Sequence, residues 1–286
     1  MTQLILGTAQ FGSGYGITNN KRRIDDQTVI EIVDMALARG ISLFDTATDY
    51  GDSQDRLGAL AEQSTKARFI TKFSLAETGE PPTAESLYEE SMRRLGVEKL
   101  AGLLFHKVAD LSDERSLLAF DVVRRARDAG IIDRVGVSIY DKSGLNGVLT
   151  AFPDLDILQI PGSIVDRRLL DDDDVHALSA RGVEIHVRSV FLQGLLLADP
   201  SAFDERFVAL SPVVDSLRSH AMETGVELLE LLLSFVRDCP IVDAVLVGAT
   251  SVAEIGAIAD AWGAPSGALF EMVPALPLEV IDPRRW

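Results

Sequence analysis

Short apolar runs that end in a polar residue recur along this chain, separated by stretches of helical period. Leu4-Ile5-Leu6-Gly7 reads as a buried strand leaving into a glycine-containing loop that carries Phe11 and Tyr15 and ends near Asn20. From Asp25 or Asp26, either one a fair N-cap, Val29, Ile32, Val33, Ala36 and Leu37 trace one helical face as far as Arg39-Gly40. The punctuation then repeats: Gly40-Ile41, Gly96-Val97, Gly130-Ile131 and Gly182-Val183 each close a helical pattern with glycine and open a strand with a β-branched residue. Their spacings of 56, 34 and 52 residues are two, one and two units of about 30. Polar strand ends keep the same beat, Asp45, Lys72, His106, Ser138, Gln159 and Ser189 following apolar runs at intervals of 27, 34, 32, 21 and 30 residues. Strand 8, Val245-Leu246-Val247, ends at Gly248, 59 residues after Ser189. That wider gap holds a loop from Phe191 to Pro212 and one long or broken helix from Val213 to Asp238, so no strand is missing. Ser251 to Trp262 reads as the last helix, and Gly263 to Trp286 as a proline-containing tail lying along the body.

Strands alternating with helices at this period predict a parallel sheet, and eight such units predict a (β/α)8 barrel with a short C-terminal tail. Length alone would also allow two domains, but no linker interrupts the beat, so residues 1–286 are expected to form one domain. A hydrophobic share of 47% and a mean hydropathy of +0.17 supply a large core. The 27 Lys and Arg against 44 Asp and Glu leave a net charge of −17, which repels nucleic acid and anionic membrane surfaces and makes both improbable partners. The same charge opposes an anionic cofactor, so a phosphate would have to be held by backbone amides, helix N-termini or a few local cations. Cys239 is the single cysteine, which excludes an intrachain disulfide and fits a packed thiol in a reducing compartment. The N-terminus has no basic n-region, and the most apolar helix, Leu228 to Val236, is interrupted by Glu230 and Ser234; the chain therefore reads as cytoplasmic, a monomer or weak homo-oligomer.

Barrel topology gathers the strand-end residues on one rim, and these carry the chemistry. Leu43-Phe44-Asp45-Thr46-Ala47-Thr48-Asp49-Tyr50-Gly51 puts a carboxylate and a phenol five residues apart at the end of strand 2. A phenol with a pKa near 10 is a poor proton donor at neutral pH until a cation stabilises its phenolate, and Lys72 stands at the next strand end. His106 follows one unit later. Singly, Asp45 reads as a turn cap, Tyr50 as a rim aromatic, Lys72 as a solvated cation and His106 as a satisfied core histidine. Their placement at successive strand ends argues for a joint role.

The motif from Asp45 to Gly51, with Thr71-Lys72, Leu104-Phe105-His106 and Gly136-Val137-Ser138, resembles the aldo-keto reductases over nearly the whole chain. The resemblance implies a catalytic tetrad of Asp45, Tyr50, Lys72 and His106. A nicotinamide cofactor, NADP or NAD, would exchange hydride with a small-molecule aldehyde, ketone, sugar carbonyl or alcohol while Tyr50 moves the proton. Lys72, oriented by Asp45, would lower the Tyr50 pKa, and His106 would position the carbonyl. Ser138 and Gln159 would hold the carboxamide, with Ile139 where the family has an asparagine. Arg188 to Leu195 looks like the pyrophosphate segment, with Ser189, Leu192 and Gly194 as contacts, and Thr8 at the end of strand 1 counts with them. Arg188 takes the place of the family's aromatic and would stack on the nicotinamide.

Gly248 to Ile255, with Thr250, Ser251 and Glu254, would meet the adenosine end, and Ala257 and Ile258 would fall at the adenine positions. From Gly248 to Trp262 there is no lysine or arginine, although the family commonly uses one for the 2′-phosphate. A carboxylate at Glu254 opposes a phosphate and suits a ribose hydroxyl, so weak discrimination or a preference for NADH is expected. Two other roles stay open: a dehydrogenase working in the oxidative direction and a slow-turnover, cofactor-sensing regulatory subunit. No metal is expected: the four histidines lack H-E-x-x-H spacing, and Asp171 to Asp174 reads as an acidic helix start. Gly12, Gly14 and Gly16 do not match G-x-G-x-x-G.

Overall fold

A computed structural model describes residues 2–17, 23–61, 66–75, 80–107, 114–152, 154–265 and 276–286. Eight parallel strands close into a barrel in chain order: β1 (Gln3–Gly7), β2 (Leu43–Asp45), β3 (Arg68–Phe73), β4 (Gly102–Phe105), β5 (Val135–Ser138), β6 (Ile157–Pro161), β7 (Glu184–Arg188) and β8 (Ala244–Gly248), with β8 pairing back to β1.

The helices are α1 (Ala9–Gly12), α2 (Asp26–Ala38), α3 (Ser53–Ala61), α4 (Glu90–Leu95), α5 (Ser116–Asp128), α6 (Lys142–Ala151), α7 (Asp173–Ala180), α8 (Ser211–Thr224), α9 (Leu228–Arg237), α10 (Val252–Trp262) and α11 (Leu278–Ile281). Asp25 is the N-cap of α2, its carboxylate accepting from Thr28 N at 2.9 Å. Gly40, Gly96, Gly130 and Gly182, the four predicted boundary glycines, all take φ between +67° and +90°, the left-handed turn that ends a helix without a Cβ clash. The stretch read as one long or broken helix is α8 and α9, parted at Gly225.

Two expectations change. The loop after β1 was read as irregular, but the turn α1 starts two residues past the strand, and Phe11 on it is fully buried in the core instead of standing beside a pocket. The predicted end of that loop at Asn20 lies outside the described residues, as does the stretch 266–275 of the tail. The acidic run behaves as expected: Asp172 caps α7, and Lys142 reaches both Asp172 and Asp174 at 2.6 Å. Among the described residues no group of His, Cys, Asp or Glu could hold a metal, and no helix is long and apolar enough to cross a membrane.

Strand periodicity explains where the functional side chains emerge. Ile5, Leu43, Ile70, Leu104, Ile157 and Leu246 form the core inside the barrel, while their alternate neighbours, such as Leu4, Leu6, Phe44, Phe69, Leu103 and Leu158, pack outward under the helices. Two residues beyond an inward apolar residue the chain points inward again, now at the carboxyl rim. Leu43 is thus followed by Asp45, Ile70 by Lys72, Leu104 by His106 and Ile157 by Gln159.

Candidate active site

Asp45 and Lys72 form an ion pair inside the rim, their side chains 4% and 1% exposed. Two buried charges are tolerable only when their remaining hydrogen-bonding capacity is met. Here it is: Lys72 Nζ also donates to Thr46 O at 3.0 Å, and Asp45 Oδ2 accepts from Gln159 Nε2 at 2.9 Å. Because the Gln159 amino group must face a carboxylate, its oxygen is left for Ser138, whose hydroxyl donates to it at 3.1 Å. The Tyr50 ring lies over Lys72, with Nζ 5.0 Å from its centroid, and meets His106 edge-on at 5.7 Å. His106 Nδ1 is 3.3 Å from Asp49 Oδ2 without hydrogen-bond geometry. The structure therefore brings all four residues of the expected tetrad to one place.

Electrostatics assigns their protonation. Burial pushes the Tyr50 phenol well above its ordinary value, and the Asp45 carboxylate pushes it further; Arg188 is the cation that pulls it back. Burial lowers the Lys72 pKa while Asp45 opposes that shift. His106 falls to about 4, chiefly by burial and then by the Lys72 charge, so it is neutral at pH 7. At neutral pH the site presents a protonated phenol, a neutral imidazole and a closed ion pair.

The Tyr50 turn depends on close backbone approach. A Cβ on Gly12 would stand 1.6 Å from Tyr50 O, and one on Gly51, where φ is +57°, would stand 2.4 Å from Gly12 O. Gly12 is therefore a packing glycine that lets α1 press on the turn carrying Tyr50, consistent with its failure to match a phosphate loop.

A cavity of about 700 Å³ opens above these groups, within the size range of small-molecule and cofactor sites. Thr8, Asp45, Tyr50, Lys72, His106, Ser138, Gln159, Arg188, Ser189, Gly194, Gly248, Thr250 and Glu254 all line it. Leu192 and Ser251 do not: Leu192 is 1% exposed in the core, and Ser251 caps α10 by accepting from Glu254 N at 3.2 Å. Thr8 lines the wall, yet its hydroxyl is spent on Asp45 O at 3.0 Å. Glu254 folds back on Thr250, accepting from its backbone N at 2.7 Å and from its hydroxyl at 3.0 Å. Ser189, Leu192 and Gln193 take positive φ of 66°, 48° and 53°, a concentration of left-handed non-glycine residues beside the cavity.

Sequence reasoning missed three contributors. Tyr140 stacks with Arg188, the guanidinium carbon 4.0 Å from the ring centroid. Gln193 ties the β7 loop to the β1 loop, accepting from Ile17 N at 3.1 Å. Gln10 packs where a Cβ on Gly248 would be, 2.4 Å away. Gln193 and Gln10 act through contacts far distant in sequence, whereas the Tyr140 position lies two beyond Ser138 and could have been found by extending the period-2 count.

Among curated proteins none matches the chain by sequence. Many solved structures share its fold. A glycerol dehydrogenase from Gluconobacter oxydans superposes with a TM-score of 0.71 at 23% identity, over 91% of this chain and 86% of that one. The holo form of an aldo-keto reductase from Bacillus halodurans gives 0.71 at 22%, over 93% and 88%. An aldo/keto reductase from Klebsiella pneumoniae in complex with NADP and acetate gives 0.68 at 18%, over 91% and 86%. The family model for aldo/keto reductases matches residues 3–265, and the chain therefore belongs to the aldo/keto reductase family.

Proposed function

We propose that residues 1–286 act as one catalytic unit that reduces an aldehyde, ketone or sugar carbonyl with a nicotinamide coenzyme, Tyr50 donating the proton. The observation that carries this reading is a phenol kept protonated by burial and by Asp45, facing a cavity beside the Lys72–Asp45 pair. Giving a proton to a developing alkoxide and taking one from an alcohol pass through the same Tyr50 phenolate, so the two directions share one proton-transfer step. Neutral His106 can hold the carbonyl oxygen by a hydrogen bond without competing for the proton, and the Lys72 ammonium under the ring favours charge developing on the phenol oxygen.

The donor set suits a dinucleotide, as do the holo and NADP-bound relatives. The cavity is lined from Tyr50, Lys72 and His106 to Thr250, Glu254, Ala257 and Ile258. When bound, the coenzyme supplies the hydride. Ser138 and Gln159 would orient its carboxamide, Arg188 would take the ring on the face not covered by Tyr140, and Ser189 and Gly194 would bring backbone to the pyrophosphate. Gly248, Thr250 and Glu254 would take the adenosine end, with Thr8 shaping the wall.

Consumption of NADH and NADPH with a panel of aldehydes and ketones tests the reading. Turnover with at least one carbonyl is expected. Tight coenzyme binding with no turnover across the panel would favour a regulatory subunit instead.

A further inference from the structure

The turn that joins β5 to α6, Ile139-Tyr140-Asp141, is held from two directions. From the cavity side Arg188, at the end of β7, donates to Ile139 O at 2.9 Å and stacks on Tyr140, 4.0 Å from the ring centroid. From the C-terminal tail the Arg284 guanidinium reaches the same ring at 4.7 Å and donates to Asp141 Oδ2 at 2.6 Å, 143 residues back along the chain. Asp141 divides its carboxylate between two tasks: Oδ1 accepts from Gly144 N at 3.0 Å and starts α6, which leaves Oδ2 for the tail. Arg284 is braced in turn by Asp282, 1% exposed, to which its Nε donates at 3.0 Å. That brace joins two residues of the tail itself. The tail also docks on the body through Trp286, whose ring meets Phe207 edge-on at 5.1 Å, so the reach of Arg284 to Tyr140 and Asp141 is not its sole attachment.

Among the described residues Tyr140 and Arg188 line the cavity, whereas Arg284 does not. From this arrangement we infer that Arg284 is a positioning residue for the coenzyme: it holds Tyr140 and Asp141 so that the Arg188 guanidinium keeps its plane before any ligand arrives. The inference rests on the assignment of Arg188 to the coenzyme ring and goes beyond it, because it makes the C-terminal tail part of the support of the binding site. An arginine side chain has several rotatable bonds, and a ligand that must order it loses affinity in doing so. Here the order is in place beforehand. The ring that Arg188 stacks on is gripped by a second guanidinium, and the carboxylate next along the chain is tied to the same group. Arginine suits that place better than lysine: one flat fork spans a ring and a carboxylate, which a point charge does not.

The test titrates NADH and NADPH into the full chain and reads their dissociation constants from coenzyme fluorescence. Ordering one flexible side chain weakens binding by about 2- to 10-fold, so Arg284→Ala should raise both constants together by about that factor. Asp141→Asn keeps a cap for α6 while removing the charge that Arg284 meets, and should shift both in the same direction. In Arg188→Ala, which removes the group being positioned, adding Arg284→Ala should change nothing further. Arg285→Ala, in the same turn but paired with Glu279, should leave the constants at the wild-type value. Additive losses in Arg188→Ala with Arg284→Ala, or an equal loss from Arg285→Ala, overturn the inference and make the tail a general support. A rise for NADPH alone also overturns it and assigns Arg284 to the 2′-phosphate. Unchanged constants in both Arg284→Ala and Asp141→Asn, or in Arg188→Ala itself, overturn it while leaving the reductase reading to be decided by turnover. No binding of either coenzyme by the wild type removes that reading and the inference with it.

Discussion

Replacing Lys72 by methionine keeps most of the side-chain volume but leaves the Asp45 carboxylate, 4% exposed, with Gln159 as its one remaining hydrogen-bond donor. Replacing Asp45 by asparagine leaves the Lys72 ammonium, 1% exposed, with neutral acceptors only, Thr46 O among them. Breaking a buried pair from one side costs about 3–5 kcal/mol, because the surviving charge stays desolvated. The double substitution removes both charges and should cost no more than either single, so the two changes should couple by about 3 kcal/mol. Urea unfolding of the wild type, both singles and the double closes the cycle. Additive losses, or singles below about 1 kcal/mol, would refute the pair as a buried charged unit. The sign with pH gives a second check. Burial holds the folded Lys72 below its unfolded pKa, so between those values the unfolded chain binds the extra proton and stability rises with pH. Asp45→Asn removes the partner that opposes this shift, so the variant should recover stability relative to wild type as pH is raised from 7 to 10.

Other outcomes follow from the same site. His106, at about 4 in the folded state against an ordinary 6.5, contributes stability that is present above pH 6.5 and lost as pH falls toward 4; His106→Gln should flatten that limb by about 3 kcal/mol in a comparison of unfolding midpoints. A wild-type slope retained in the variant would count against the buried neutral imidazole. Gly12→Ala drives a methyl into the Tyr50 carbonyl and should lower turnover more than 10-fold with a stability loss of at least about 1 kcal/mol, whereas normal turnover would mean the turn can yield freely. Because Glu254 occupies the Thr250 donors and no cation stands in α10, dissociation constants for NADPH and NADH at fixed salt should differ little or favour NADH; an NADPH preference above about 100-fold would require a cation elsewhere at the site.

The regular parts of this protein were legible because they are periodic. Helix faces, four glycine boundaries and the inward step from Leu43 to Asp45 or from Ile70 to Lys72 are local facts about spacing, and the barrel turns them into one rim. What spacing cannot express is approach between distant segments. Gly12 gave no sign that it touches Tyr50, and the turn α1 was read as an irregular loop because a four-residue helix has no amphipathic period to detect. Thr8 and Ser251 were expected as contacts from the family resemblance, while the structure spends the Thr8 hydroxyl on a backbone oxygen and places Ser251 as a helix cap. The Tyr50 environment was read from Lys72 alone, whereas burial and the Asp45 carboxylate bound to that lysine raise the phenol, which spacing along the chain does not express.

Tyr50→Phe bears most directly on the proposed chemistry, since it removes the hydroxyl and keeps the ring that packs on Lys72 and His106. Turnover of a reducible carbonyl, measured beside the coenzyme dissociation constant, should fall at least about 100-fold while the constant stays near that of the wild type. Turnover close to wild type in a variant that still binds coenzyme would contradict Tyr50 as the proton donor.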